Sequence, residues 1–288
     1  MKQRISHALE KIGDTSNIQR MTQISGGDIN QAYYIQTNEH EYFIKGNSNV
    51  SEHFFRVEAK GLKLMKETGA VNVPEVYYYD DPVEGEGVIA LEWIQGNKDS
   101  NTEEKLGEQL ASMHQHFGES HGFDEDTFIG LLPQPNKFYD KWVDYYHECR
   151  LVSQFNIAAE RGRLPLDRKH LLKKLMERLP EWIDYGAKPS LLHGDLWGGN
   201  WMAGKNGSPY LIDPSVLYGD HAFEIAFTEL FGGYSDAFYQ AYQDNFPLPE
   251  HYEDIKEIYQ LYYLLVHLNL FGEAYAGSVD RILKHYVG

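Results

Sequence analysis

The tightest constraint on this chain is the stretch LLHGDLWGGNWMAGKNGSPYLID at residues 191–213. It contains a short apolar run (Leu191, Leu192), a His-Gly-Asp turn and a Gly-Gly-Asn. A loop broken by Gly204, Gly207 and Pro209 follows, then a second apolar run at 210–212 that ends in Asp213. The pattern predicts two short strands, joined by a tight strand, turn, strand return, with three polar groups at their mouths: Asp195, Asn200 and Asp213.

The spacing is what gives those groups meaning. Asn200 follows Asp195 by 5 positions and Asp213 follows it by 18. Phosphoryl transfer needs an aspartate to orient and deprotonate a hydroxyl, an asparagine five positions on to hold magnesium, and a second aspartate after a strand to hold the metals bridging the phosphates. Each piece alone reads as an ordinary turn or an N-cap; together, between two apolar runs, they read as a catalytic centre. A metal hydrolase, with His193 and Asp195 as ligands, is the rival reading. It lacks the further clustered ligands or paired-His motif such a site needs.

Upstream, residues 21–24, 32–36 and 42–45 read as three strands rich in aromatic and β-branched residues. Between the first two lies Ser25-Gly26-Gly27-Asp28. Its glycines would let the backbone approach phosphate oxygens, although the same residues make an ordinary hairpin turn. Asp28 adds negative charge there and fits only if its side chain caps the turn and faces away. Lys45 ends the third strand, and Glu58 falls 13 positions on, inside a helical pattern at 50–67 whose apolar positions leave room for one inward acid. We expect Lys45 and Glu58 to pair and order the nucleotide site, with Glu52 and Glu67 less suited. The apolar run at 87–94 reads as a buried strand leading to a hinge, where backbone groups of Glu92, Trp93 and Ile94 would read adenine.

Beyond a polar boundary at 95–102 the periodicity turns helical. Ser100 and Glu103 have capping-box spacing. Helices are expected over residues 136–161, 167–185, 222–230, 252–270 and 279–286. The segment 121–135, broken by glycine and proline, reads as a loop able to reach a substrate. His114 and His116 lack matching ligands and read as structural or solvated. The short distance from Asp213 to the next helix leaves little room for a regulatory loop, which favours a small-molecule acceptor. The division expected is a nucleotide-binding lobe at 1–94 and a catalytic, substrate-binding lobe at 95–288.

Composition narrows the partners. A formal net charge of −17 disfavours nucleic acid and anionic membranes, so anionic ATP must be held by local groups, backbone N–H donors and magnesium. One cysteine, Cys149, excludes an intrachain disulfide and a cysteine-based zinc site. The first residues, MKQRISHALEKIG, lack an apolar signal core, and no run approaches 18 apolar residues, so a cytoplasmic address is expected.

HGDLWGGN at 193–200, IDPSVLYGDHAFEIAF at 212–227 and LFGGYSDAFYQAY at 230–242 resemble the fructosamine kinase (ketosamine kinase) family. The 25–28 loop, Lys45 with Glu58, and the helix around Leu106 and His114 match in the same order. HGD with a later aspartate is shared with aminoglycoside and choline kinases; the WGGN continuation and the DP-x-x-x-YG stretch are more particular. The resemblance implies an α+β, two-lobed protein-kinase-like fold: a small antiparallel-sheet lobe with one main helix, and a larger, mostly helical lobe. It implies ATP with Mg²⁺ and phosphorylation of a sugar hydroxyl on a ketosamine (a fructosamine or ribulosamine), with glycated protein side chains as further acceptors. It also implies roles: Asp195 as base, Asn200 and Asp213 on magnesium, Lys45 on the phosphates, Glu58 orienting Lys45. Trp197 would stack on the sugar or brace the loop. Some members carry a cysteine in the glycine-rich loop; here the loop reads SGGDINQA, so redox control through it is not expected. The alternatives left open are an aminoglycoside- or choline-type kinase of the same fold and a nucleotide-binding pseudokinase.

Overall fold

A computed structural model describes residues 1–24, 30–80 and 85–288. The glycine-rich loop, with Gly26, Gly27 and Asp28, lies outside the described residues. Helix α1 (Lys2–Ile12) leads into β1 (Ile18–Ile24), β2 (Gln31–Thr37), β3 (Glu41–Val50), α2 (Phe54–Glu67), β4 (Val76–Tyr79) and β5 (Gly85–Glu92). The five strands form one antiparallel sheet in the order β1-β2-β3-β5-β4. Ile5, Ala8 and Leu9 repeat at helical spacing, and they bury one face of α1 against Ile35, Ile44, Val88 and Ala90 of the sheet. Ile5 and Leu9 each contribute roughly 2 kcal/mol by leaving water. Helix α2 covers the other face through Phe55, Leu62 and Met65. That packing turns Glu58 inward.

The remaining chain is mostly helical: α3 (Thr102–His114), the hairpin β6 (Thr127–Ile129) and β7 (Leu132–Gln134), α4 (Trp142–Tyr145), a π-helical turn (Tyr146–Val152), α5 (Ser153–Glu160), α6 (Leu166–Arg178) and α7 (Pro180–Ile183). Then come β8 (Ser190–Leu192), β9 (Trp201–Ala203), β10 (Pro209–Leu211), β11 (Leu217–Gly219), α8 (His221–Leu230), α9 (Asp236–Asn245), α10 (Tyr252–Phe271) and α11 (Ala276–Val287). Residues 258–266 of α10 are buried without interruption. A helix apolar on all sides belongs at the centre of a lobe, and α10 packs there against α5, α8 and α11.

Several expectations change in detail. The predicted strand return is a hairpin of β9 and β10, and β8 pairs with β11 instead. Residues 136–141 are not helical, and the helical run that follows changes to π geometry at Tyr146. The helix expected over 167–185 is two, with Pro180 opening the second. The Ser100–Glu103 box does not form: Asn101 is the N-cap of α3 without a side-chain bond, Glu103 accepts the Ser235 N–H at 2.7 Å, and the turn is held by the Asp99 carboxylate on the Asn101 N–H at 2.9 Å. Among the described residues no helix is long and apolar enough to cross a membrane.

Candidate active site

Strand β8 delivers His193-Gly194-Asp195 to the floor of a cleft. Gly194 has φ +84°, and a Cβ there would lie 1.9 Å from the Ser215 carbonyl oxygen, so the turn admits no side chain. Both nitrogens of His193 are taken by backbone: Nε2–H donates to the Ile212 carbonyl at 2.8 Å, and Nδ1 accepts the Asp195 N–H at 3.2 Å. Burial pushes its pKa down, and the ring is neutral. A ring committed in this way is a hinge pin, not a metal ligand. The hydrolase reading loses its histidine.

Beneath this turn lies a buried carboxylate that the sequence did not single out. Glu224 of α8 accepts the His193 N–H at 3.0 Å and the Gly194 N–H at 2.5 Å, while His114 Nε2 lies 2.8 Å away. Burial raises the Glu224 pKa, but the bonds from His114 and the Gly194 peptide outweigh it, leaving the net shift downward and the group ionised. His114 Nδ1 and His221 Nδ1 both meet the Tyr242 hydroxyl, at 2.7 and 2.8 Å. His114 is thus structural and fully buried, and His116 sits at the surface.

The three predicted groups converge. Asn200 Nδ2 donates to the Asp195 carbonyl at 2.7 Å and to Asp195 Oδ2 at 3.2 Å, while the Ile212 N–H returns to the Asn200 carbonyl at 3.0 Å. Asp213 leaves β10 with φ 57°, in the left-handed region that non-glycine residues rarely adopt. It is not an N-cap; that role on α8 belongs to Asp220, whose carboxylate accepts the Ala222 N–H. Lys45 Nζ lies 2.6 Å from Glu58 Oε1 and 2.5 Å from Asp213 Oδ1. Burial alone would lower the Lys45 pKa, but Asp213 and then Glu58 outweigh it, so the ammonium keeps its proton. Burial dominates at Asp195, with the Asp213 carboxylate adding to it, and its pKa rises well above the usual carboxylate range.

These residues line one cleft of about 720 Å³, with Lys45, Glu58, Asp213 and Asn200 on its walls beside Asp195 and Trp197. Within 121–135, read above as a loop, the structure forms the β6–β7 hairpin, and Thr127, Phe128 and Ile129 of β6 with Gly130 at its turn line the same cleft. Glu92, Trp93 and Ile94 are not on those walls. The Glu92 carboxylate accepts the Glu75 N–H, and the Trp93 ring packs 4.7 Å from Tyr34. Trp93 is half-buried and Ile94 is buried. Trp197 is 44% exposed, its six-membered ring lying over Gly199.

The donor set suits magnesium. Asn200 spends its amide N–H on Asp195, no hydrogen bond engages its side-chain oxygen among the described residues, and the side chain of Asp213 is 42% exposed. Two hard oxygen donors, with water and phosphate completing the shell, are the usual protein share of a magnesium site. No group of three or more His, Cys, Asp or Glu side chains among the described residues offers a rival metal centre.

Known proteins resemble this chain over nearly its whole length. The family model described as fructosamine kinase matches residues 1–288. A probable ketoamine kinase of Enterococcus faecium is 39% identical over 264 residues, covering 91% of this chain and 94% of that one. The chloroplastic protein-ribulosamine 3-kinase of Arabidopsis thaliana is 33% identical over 96% of this chain and 85% of its own. The crystal structure of a putative fructosamine-3-kinase from Haemophilus somnus superposes with a TM-score of 0.87 at 28% identity, covering 100% and 98% of the two chains. A choline kinase of Streptococcus pneumoniae, at 18% identity and a TM-score of 0.64 over 98% of each chain, shares the protein-kinase-like fold.

Proposed function

Because the chain belongs to the fructosamine kinase family, we propose that it transfers the γ-phosphoryl group of ATP to a sugar hydroxyl of a ketosamine, a deglycation-type repair step. The observation that carries the reading is the convergence of Lys45, Glu58 and Asp213 with Asn200 and Asp195 on one cleft.

In this reading Asp195 receives the proton of the acceptor hydroxyl as its oxygen bonds to the γ-phosphorus, and the bond from that phosphorus to the β-phosphate oxygen breaks to release ADP. Lys45, held by Glu58, neutralises phosphate charge. Asn200 and Asp213 would hold magnesium, which when bound supplies the positive charge an acidic chain lacks. Gly26, Gly27 and Asp28 would border the phosphates, and the backbone of Glu92, Trp93 and Ile94 would meet adenine. The exposure of Trp197 supports a ring that stacks on the sugar over one that only braces the loop. The lobes divide near residue 94. Small ketosamines and glycated protein side chains are the acceptors, in the cytoplasm, and nucleic acid is not a partner.

Magnesium-dependent ADP release tests this, comparing ribulose- or fructose-modified lysine with unmodified lysine, kanamycin and choline. Stimulation by the ketosamine alone is expected. Stimulation by kanamycin or choline alone overturns the acceptor, and ATP binding without turnover on any of them favours a pseudokinase.

A further inference from the structure

The charged side chains on the cleft walls, Lys45, Glu58, Asp195 and Asp213, belong to the linked group around the phosphate site. A second part of the wall is built otherwise. Phe231 follows α8, His267 and Phe271 occupy the last turns of α10, and Tyr275 lies just beyond. All four line the same cleft. Ring centroids stand 4.7 Å apart for Phe231 and His267, 5.0 Å for His267 and Tyr275, and 5.6 Å for His267 and Phe271. Phe231 and Phe271 are 42% and 52% exposed. Large aromatic faces left in water beside a reaction centre point to something that covers them during turnover.

The central ring carries the polar information. His267 Nδ1 lies 2.8 Å from the Tyr263 carbonyl oxygen, so Nδ1 bears the proton. The neutral ring then presents Nε2 as a lone pair, and among the described residues no hydrogen bond engages it. Burial, the largest influence on this group, lowers its pKa and favours that neutral form. The quartet therefore offers an acceptor and negative ring faces, without a carboxylate. Aromatic faces attract cations, ammonium groups included, and the net charge of −17 draws them toward the chain.

We propose that this quartet receives the amine half of the acceptor: a protonated secondary amine donates an N–H to His267 Nε2 against the faces of Phe231, Phe271 and Tyr275, and the amine's substituent runs outward over Phe271. This rests on the ketosamine reading, in which the amine is only a few bonds from the sugar hydroxyls and must bind close to Asp195 and Trp197. His267, Phe231, Phe271 and Tyr275 are specificity-determining residues that take no part in the proton transfer.

Binding of two probes without a sugar tests this independently of turnover: N-methylhexylammonium and its neutral counterpart hexyl methyl ether, titrated against the full chain at about 0.15 M salt. The parent is expected to bind the ammonium about tenfold more tightly, and the preference to shrink to about twofold in His267→Phe and in Phe271→Leu while Phe271→Trp keeps it. The same variants should raise KM for a ketosamine about five- to tenfold, with kcat and the KM for ATP unchanged. Equal binding of the two probes by the parent, or a preference untouched in His267→Phe and Phe271→Leu, overturns the proposal. An intact, variant-sensitive preference in a protein that phosphorylates no ketosamine upholds the amine site and refutes the proposed reaction instead.

Discussion

Lys45 Nζ stands 2.5 Å from Asp213 Oδ1, a contact between residues 168 positions apart that ties β3 of the sheet to the end of β10. The same ammonium holds Glu58 of α2 at 2.6 Å. One buried cation thus fixes three elements around the place where phosphates would sit. It also keeps Asp213 and Glu58 compatible within a small volume.

Replacing Lys45 with Met removes that centre. The expected result is a KM for ATP raised about tenfold or more and kcat/KM lowered by roughly a hundredfold, about 3 kcal/mol of transition-state stabilisation. Glu58→Gln keeps the side-chain shape and should cost about tenfold. Steady-state kinetics over an ATP series checks both, and an unchanged KM for ATP in Lys45→Met contradicts the assignment.

Glu224 makes no contact with substrate in this account, yet it holds the peptide N–H groups of His193 and Gly194. In Glu224→Gln an amide N–H replaces one acceptor oxygen, leaving a buried donor facing a donor. A stability loss of about 3 kcal/mol is expected, with kcat down by roughly ten- to a hundredfold and ATP affinity within about twofold. Chemical denaturation and nucleotide titration separate these effects. A variant with full kcat shows that the turn does not depend on the brace.

The pH profile reports on Asp195. A base must be deprotonated, so kcat/KM falls as pH drops through its pKa. Burial first and Asp213 second raise that pKa, so the acidic limb should have its midpoint clearly above the ~4 of a free aspartate. A midpoint at or below that value contradicts the electrostatic picture.

Stability has a separate acid limb from Asp14. Burial works to raise its pKa, but bonds from Ser16, Thr37 and Tyr42 outweigh it and hold the carboxyl at about 2. Because the folded pKa lies below the unfolded one, the contribution is complete above pH ~4 and is lost as pH falls toward ~2. Asp14→Asn should lower stability by about 2 kcal/mol at neutral pH and reduce the loss of stability below pH ~4. Urea denaturation at several pH values measures it; an unchanged pH dependence contradicts the assignment.

How much of this could be read from the chain follows from the range of each interaction. Asp195 and Asn200 are close in sequence, and the bond between them is local. Lys45 and Glu58 are legible because an apolar strand and a helical apolar stripe each leave room for one inward charge, although Lys45 sits in the middle of β3, which runs on to Val50, and does not end it. Glu224 was hidden, since an acid within an apolar helix shows its purpose only once β8 lies against α8. One signal was available: Glu224 lies among Phe223, Ile225, Ala226 and Phe227, where an exposed acid is out of place. Strand β9, Trp201–Ala203, shows itself only through its pairing with β10. The aromatic quartet joins the end of α8 to the end of α10, a juxtaposition that periodicity does not encode.

The most direct test of the central claim is single-turnover phosphorylation of ribulosyl- or fructosyl-lysine by Asp195→Asn beside the parent, with ATP affinity measured on the same samples. The Asp195→Asn rate is expected to be lower by about a thousandfold or more, with ATP affinity within about threefold of the parent. A variant that phosphorylates the ketosamine at close to the parental rate contradicts it, because Asp195 would then not be the base.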